Sequence, residues 1–268
     1  MIENQQQILD IKLYTIQNNI PLLILGSGSN VIIKDNGIRG IVLNVLLYNK
    51  ITIVNDYNDN SVVSVECGAM IIDVSVFAAK KCLSGIEFAC GIPGSMGGAV
   101  VMNAGAYGGE IKDILVDCQI ITNDGQLKTF SNKDLEFKYR SSLIQDKGFI
   151  VTNCTLLLTK GVKQQDIDSK IKDFTSKRES MQPLEYPSCG SVFKRPKGYF
   201  TGQLIQDCGL KGKGVGEAQV STKHSGFIIN KSNATATDYI KTIEMVENTV
   251  FQQFGVQLER EVKIIGQD

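Results

Sequence analysis

The sequence predicts an α+β protein of more than one lobe. Three observations carry this: an opening stretch of helical periodicity, a middle dominated by short β-rich runs, and a closing helix marked at both ends. At 268 residues, 43% hydrophobic and 21% charged, the chain can bury a full core.

Residues 3–18 read as a helix, with Leu9, Leu13, Ile16 and Ile20 at roughly helical spacing before Pro21. A strand at 22–25 follows, and short β-rich runs recur at 41–46, 51–54 and 62–66. The segment 70–82 puts Val74, Phe77 and Ala78 on one helical face. Val116 to Thr122, an Asn123-Asp124-Gly125 turn and Leu127 to Phe130 read as a hairpin, and Phe149 to Leu158 as a further strand. A third lobe is expected from about 161, opening with a helix at 164–181 whose face carries Ile167, Ile171, Phe174 and Met181. The clearest helix is 236–254. Thr235 with Asp238 starts it, Ile240, Ile243, Val246, Val250 and Phe254 stripe it, and Gly255 stops it. The tail from Glu261 to Ile265 reads as a strand.

Two glycine-rich loops carry the chemistry. Cys90-Gly91-Ile92-Pro93-Gly94-Ser95-Met96-Gly97-Gly98-Ala99, continuing to Asn103-Ala104-Gly105-Ala106-Tyr107-Gly108-Gly109, lets backbone approach a ligand closely. Gly26-Ser27-Gly28-Ser29-Asn30 ends the first strand and offers backbone N–H groups to a phosphate. Two such loops in one chain point to a large ligand bearing a diphosphate.

The shorter loop also excludes a reading. It lacks the third glycine of a Rossmann fingerprint and runs into Val31-Ile32-Ile33, so the pattern is strand, loop, strand. No phosphate-binding Gly-x-x-x-x-Gly-Lys-Ser/Thr occurs. The 28 basic and 28 acidic residues cancel without forming a basic tract, which argues against a nucleic-acid partner. Seven widely spaced cysteines and a single histidine, His224, form no metal-ligand pattern, and the thiols are expected to be mostly buried, reduced and apolar in role. Without a leader-like start or a spanning apolar run, the expected location is the cytoplasm, away from membranes.

With Tyr139-Arg140-Ser141-Ser142, Pro187 through Pro196 and Leu258-Glu259-Arg260-Glu261-Val262 following the two loops in order, the chain resembles the UDP-N-acetylenolpyruvoylglucosamine reductase family. Only about 50 residues separate Arg140 from Ser191, which matches the shorter type without an extra tyrosine segment. The resemblance implies a two-lobed FAD-binding domain of the FAD-linked reductase/oxidase type and a C-terminal α+β substrate domain. The implied boundaries are 1–46, 47–160 and 161–268, the last with a tail returning to the active site. It implies non-covalent FAD, NADPH as co-substrate and reduction of an enolpyruvyl UDP-sugar to UDP-N-acetylmuramate for peptidoglycan, hence for cell shape and division. It further implies a monomer with no metal. Members begin with a strand carrying a Gly-Gly pair ahead of the opening helix, whereas Met1 here falls in the helix region, so the first lobe is expected to be N-terminally incomplete.

Residue by residue, the resemblance gives Arg140 as catalytic cation, whose fork suits a planar carboxylate. Ser191 carries over as proton donor to a carbanionic intermediate, which a weak acid manages best beside a cation such as Lys194 or Arg195. Glu261 carries over as the carboxylate that polarises the substrate or orients the arginine, with Glu259 as a neighbour on the same face. Gly26, Ser27, Gly28, Ser29, Asn30, Gly91, Pro93, Gly94, Ser95, Gly98, Ala99, Asn103, Gly105 and Ile150 are the expected flavin contacts, with the residues after Pro93 presenting N–H groups. Tyr139, Lys194 and Arg195 are expected at the UDP-sugar. Cys189 is read as packing and His224 as structural or a substrate contact. Two other readings stand beside this one: an oxidase of the same flavin fold, and a non-catalytic nucleotide-sugar binder.

Overall fold

The computed structural model describes residues 2–267. In chain order, α1 (Gln5–Gln17) leads to β1 (Leu22–Leu25), β2 (Val31–Ile33) and β3 (Ile41–Asn44). Next come β4 (Ile51–Asp56), β5 (Asn60–Glu66), α2 (Ile71–Lys80) and α3 (Met96–Val101). The hairpin β6 (Gly105–Ala106) and β7 (Gly109–Glu110) precedes β8 (Leu115–Ile121), β9 (Leu127–Ser131), α4 (Leu143–Lys147) and β10 (Ile150–Thr159). Then follow α5 (Gln164–Met181), β11 (Ser188–Ser191) and α6 (Thr201–Asp207). The chain ends with β12 (Gly214–Val215), β13 (Ala218–Val220), β14 (Phe227–Asn230), α7 (Ala236–Phe254) and β15 (Lys263–Ile265). Two compact units result: one holds the residues up to Ser27 with Gly40–Ser176, the other Gly28–Arg39 with everything from Lys177 on.

In the first unit, β1 and β3 pair in parallel, and β4-β5-β10-β8-β9 form an antiparallel sheet. Alternation along β5 buries Val63 and Val65 fully, and α3 packs against β5 and β10 to seal that core. The opening helix starts on Asn4, whose side chain accepts from the Gln7 N–H. Its buried face is Ile8 and Thr15, with Leu9 of the expected stripe packed against the core, whereas Leu13 is 36% and Ile16 39% exposed. Leu13 lies against the Asn123-Asp124-Gly125 turn, which is where its apolar surface finds cover. Along α5 only Ile167 is buried, and Met181 is 58% exposed. Phe174 from the expected stripe stacks flat on Tyr107 at the tip of the β6–β7 hairpin, 4.5 Å between centroids.

In the second unit, β11-β14-β13-β12 form an antiparallel sheet and β2 pairs in parallel with β15. The expected tail strand is therefore shorter, Lys263–Ile265, and leaves Glu261 just outside it. α7 covers β12, β13 and β14 with Tyr239, Thr242, Ile243, Val246 and Val250; Ile240 and Phe254 from the expected stripe are not among the buried residues. Both predicted ends are present, a Thr235–Asp238 capping box and Gly255 in the left-handed conformation. The Asp35 carboxylate adds a second cap, accepting from the Thr237 hydroxyl at 2.5 Å and from the Thr237 and Ala236 N–H groups at 3.0 and 2.8 Å, and those bonds hold it below the usual carboxylate range.

All seven cysteines are free. Burial pushes the thiols of Cys67 and Cys118 up to about 12, and Cys154 well above its ordinary value. Against the expectation that most are buried, only those three are; Cys82 is exposed and the rest are half-buried.

Candidate active site

Gly26 of the short loop and Ser95 of the long one meet in the first unit. Gly26 lies so close to Ser95 that a Cβ there would overlap the Ser95 hydroxyl and stand 2.9 Å from its Cβ. Gly94 has φ +137°, which a side chain tolerates poorly, and its carbonyl accepts from the Ile71 N–H at 2.9 Å.

The N–H groups expected after Pro93 are mostly committed within the chain. Met96 donates to the Ala69 carbonyl at 2.7 Å, Gly97 to Cys67 at 2.8 Å, and Ala99 to Ser95 at 2.9 Å. Gly98 donates to the Ser95 hydroxyl, which caps α3. Among the described residues, no hydrogen bond takes up the N–H groups of Gly26, Ser27, Gly91 or Gly94. The open donors thus sit in the loops flanking the helix, and not on its first turn.

Arg140 sits in the turn Lys138-Tyr139-Arg140-Ser141, closed by reciprocal backbone bonds between Lys138 and Ser141. It adopts the left-handed region, φ +54°, and its Nη2 donates to the Gly105 carbonyl at 2.8 Å. The guanidinium carbon lies 5.1 Å from the centre of the Tyr139 ring. Asn103 is fully buried: Nδ2 donates to the Lys138 carbonyl and to Glu110 Oε2, and Oδ1 accepts from the Lys112 N–H. Burial works to raise the Glu110 carboxyl, yet Lys112, Asn103 and the Arg140 charge outweigh it and hold it below its ordinary value. Ile150 opens β10 and is 6% exposed, packed into the first core.

In the second unit, Ser191 ends β11 as an exposed residue, carried there by a ladder irregularity at Gly190, φ +72°. Glu261 is fixed beside it through the backbone: its N–H donates to the Val192 carbonyl at 2.8 Å, while Phe193 bridges to Arg260. Asn30 Nδ2 donates to the Glu261 carbonyl at 3.2 Å, and the Asn30 carbonyl accepts from Lys263. Arg260 grips Glu247 of α7 with two bonds of 2.6 Å, a support with no signal in the local sequence.

The cations expected beside Ser191 have other partners. Lys194 pairs with Glu259 at 2.6 Å, so Glu259 neutralises a charge instead of merely flanking Glu261. The Arg195 guanidinium lies 3.8 Å over the Phe200 ring, its Nε donating to the Tyr199 carbonyl. Cys189 donates to the Val31 carbonyl at 3.4 Å, burial raising its thiol, as a packing role requires. His224 Nδ1 accepts from the Gly226 N–H and the ring packs edge-on against Phe227. Burial pushes its imidazole below its ordinary value.

Comparison with known proteins gives this arrangement its lineage. Residues 1–131 match the family described as FAD binding domain, and residues 182–265 match UDP-N-acetylenolpyruvoylglucosamine reductase, C-terminal domain. The UDP-N-acetylenolpyruvoylglucosamine reductase of Geobacillus thermodenitrificans is 53% identical over 266 residues, covering 99% of this chain and 86% of that one. That of Oceanobacillus iheyensis is 52% identical over 266 residues, with 99% and 85% covered. The crystal structure of the Thermus caldophilus enzyme of that name matches with a TM-score of 0.79 at 30% identity, covering 98% of this chain and 90% of the other. A match of this extent takes in both glycine loops, the Arg140 turn, the Ser191 strand and the tail at Glu261, and on that ground the chain belongs to the UDP-N-acetylenolpyruvoylglucosamine reductase family.

Proposed function

We propose that this chain reduces the enol ether double bond of UDP-N-acetylenolpyruvoylglucosamine to give UDP-N-acetylmuramate, using FAD and NADPH, in peptidoglycan precursor synthesis. The observation that carries the reading is the 53% identity, over 266 residues, to an enzyme named for this substrate. The oxidase and the non-catalytic readings have no such support.

The residues present fit the cofactor. A loop in which Gly26 leaves no room for a Cβ beside Ser95, with open N–H groups at Gly26, Ser27, Gly91 and Gly94, suits a diphosphate-bearing group. These residues would hold FAD, which when bound supplies the hydride that no side chain can deliver.

The chain's own residues manage charge and proton. As the double bond is reduced, negative charge develops on the carbon next to the substrate carboxylate, and the planar Arg140 fork offsets it. Its turn is fixed before substrate arrives, so little reorganisation is needed. Glu261 polarises the same carboxylate or orients the cation. Ser191 delivers the proton. With Lys194 paired to Glu259 and Arg195 stacked on Phe200, the hydroxyl relies on the basicity of the developing carbanion. We assign FAD binding to residues 1–46 and 47–160 and the sugar nucleotide to 161–268, with Tyr139, Lys194 and Arg195 at the substrate. Among the described residues no helix is long and apolar enough to cross a membrane. We propose, separately, that the enzyme acts in the cytoplasm as a monomer.

The test is spectroscopic. The purified chain should show a flavin band that NADPH bleaches without oxygen and that UDP-N-acetylenolpyruvoylglucosamine restores, and denaturation should release the flavin. A reduced flavin left unchanged by that substrate would overturn the assignment.

A further inference from the structure

We infer that Asn103 is a positioning residue for Arg140, and that the stretch Val101–Gly105 is the mount of this arginine. The inference rests on the reading of Arg140 as the cation that meets the substrate carboxylate. It changes the part given to Asn103 and Gly105, which the resemblance implied as flavin contacts.

Three hydrogen bonds tie the arginine turn to Val101–Gly105. Asn103 Nδ2 donates to the Lys138 carbonyl at 3.1 Å on one side of the turn, and Ser142 Oγ donates to the Val101 carbonyl at 2.7 Å on the other. Between them the Arg140 guanidinium donates to the Gly105 carbonyl at 2.8 Å. Such holding is needed, because Arg140 carries a Cβ in the left-handed region and an untethered turn would relax toward commoner backbone angles.

The side chain at 103 has to be asparagine. It spends two donors, on Lys138 and on Glu110 Oε2 at 3.0 Å, and one acceptor, on the Lys112 N–H at 3.0 Å. Aspartate would lose both donors and set its charge against Glu110. The residue itself sits at φ +42°, a conformation that asparagine adopts more readily than most. With no exposed surface and both N–H donors spent on protein, its amide has no donor left for a cofactor. What it governs is where the Lys138 carbonyl, and hence the next turn residue but one, is held.

The experiment is a double-mutant cycle on the FAD-loaded enzyme with Asn103→Ala, Arg140→Ala and the pair. Asn103→Ala should leave the FAD dissociation constant, read by flavin fluorescence, and flavin reduction by NADPH within about twofold of the parent. Re-oxidation by substrate should slow by about 10- to 100-fold with a raised KM, the scale of a displaced catalytic group. The double variant should be no slower than Arg140→Ala alone. Effects that multiply, or an FAD affinity that falls as far as re-oxidation does, would overturn the inference while leaving Arg140 in place. If Arg140→Ala re-oxidises like the parent, the reading of Arg140 fails as well. Should Asn103→Ala not fold, Ser142→Ala cuts the anchor on the other side of the turn and must give the same substrate-only, non-multiplying defect.

Discussion

The contact between Gly26 and Ser95 can be tested by adding one methyl group. In Gly26→Ala the new Cβ would overlap the Ser95 hydroxyl and press on the Ser95 Cβ at 2.9 Å. Because Gly26 is not in the left-handed region, alanine brings no backbone penalty and the effect is steric. If Ser95 yields, its hydroxyl leaves the Gly98 N–H at the start of α3, a lost cap worth about 1 kcal/mol. If it stays, over-packing costs about 1–3 kcal/mol. Either way the loss in unfolding free energy should be about 1–3 kcal/mol. The companion Ser95→Gly removes the obstructing atoms and, as a glycine cap, should cost only a few tenths of a kcal/mol by itself. Gly26→Ala/Ser95→Gly should then recover most of the parent's stability, a coupling of about 2 kcal/mol. Urea unfolding of the four proteins, each with and without FAD, measures this, and flavin affinity should fall and return in step with stability. A Gly26→Ala protein as stable as the parent, or one that Ser95→Gly fails to rescue, would refute the argument that these loops are held in contact.

Three further outcomes follow from the geometry. Ser191→Ala should slow re-oxidation of reduced flavin by substrate by about 10²–10⁴-fold in stopped flow while reduction by NADPH is unchanged, and equal slowing of both would deny it the proton-donor role. Burial holds the His224 imidazole below 6.5, so the folded state resists a proton that the unfolded chain accepts. Its contribution is complete above about pH 6.5 and is lost as the pH falls through and below that value, so Tm should drop from pH 8 to 5.5 by less in His224→Gln than in the parent. Thr235→Ala breaks the capping box of α7 and should lower urea stability by about 1 kcal/mol, with α7 still helical by circular dichroism because Asp35 keeps accepting from Ala236 and Thr237.

Local signals were legible where one short segment decides the outcome. The box at Thr235 and Asp238 and the stop at Gly255 gave the ends of α7, and the Asn123-Asp124-Gly125 turn gave the β8–β9 hairpin. Periodicity alone could not choose between neighbouring faces. Along α1 it favoured Leu13 and Ile16, yet the core takes Ile8 and Thr15, since Leu13 finds its cover on the Gly125 turn. Nor could it show pairing between distant strands. Here β10 lies between β5 and β8, and β1 pairs with β3 although Gly28–Arg39 leaves for the other unit in between.

The site was legible as residue types and illegible as commitments. Donors can be counted from a sequence, but which of them are spent depends on what tertiary folding brings near. The run after Pro93 looked like a row of N–H groups for an anion, whereas Met96, Gly97 and Ala99 donate to carbonyls of the chain itself. The Pro187–Pro196 loop looked like a hydroxyl between two cations, whereas Glu259, sixty-five residues downstream of Lys194, takes the first and the Phe200 ring the second. The same logic separates the two halves of the long glycine motif. At Ser95 it fills space that Gly26 leaves by lacking a Cβ; from Val101 to Gly105 its carbonyls and one asparagine hold an arginine. A glycine-rich run thus needs two separate explanations, and substitutions at its two ends should separate flavin affinity from re-oxidation by substrate.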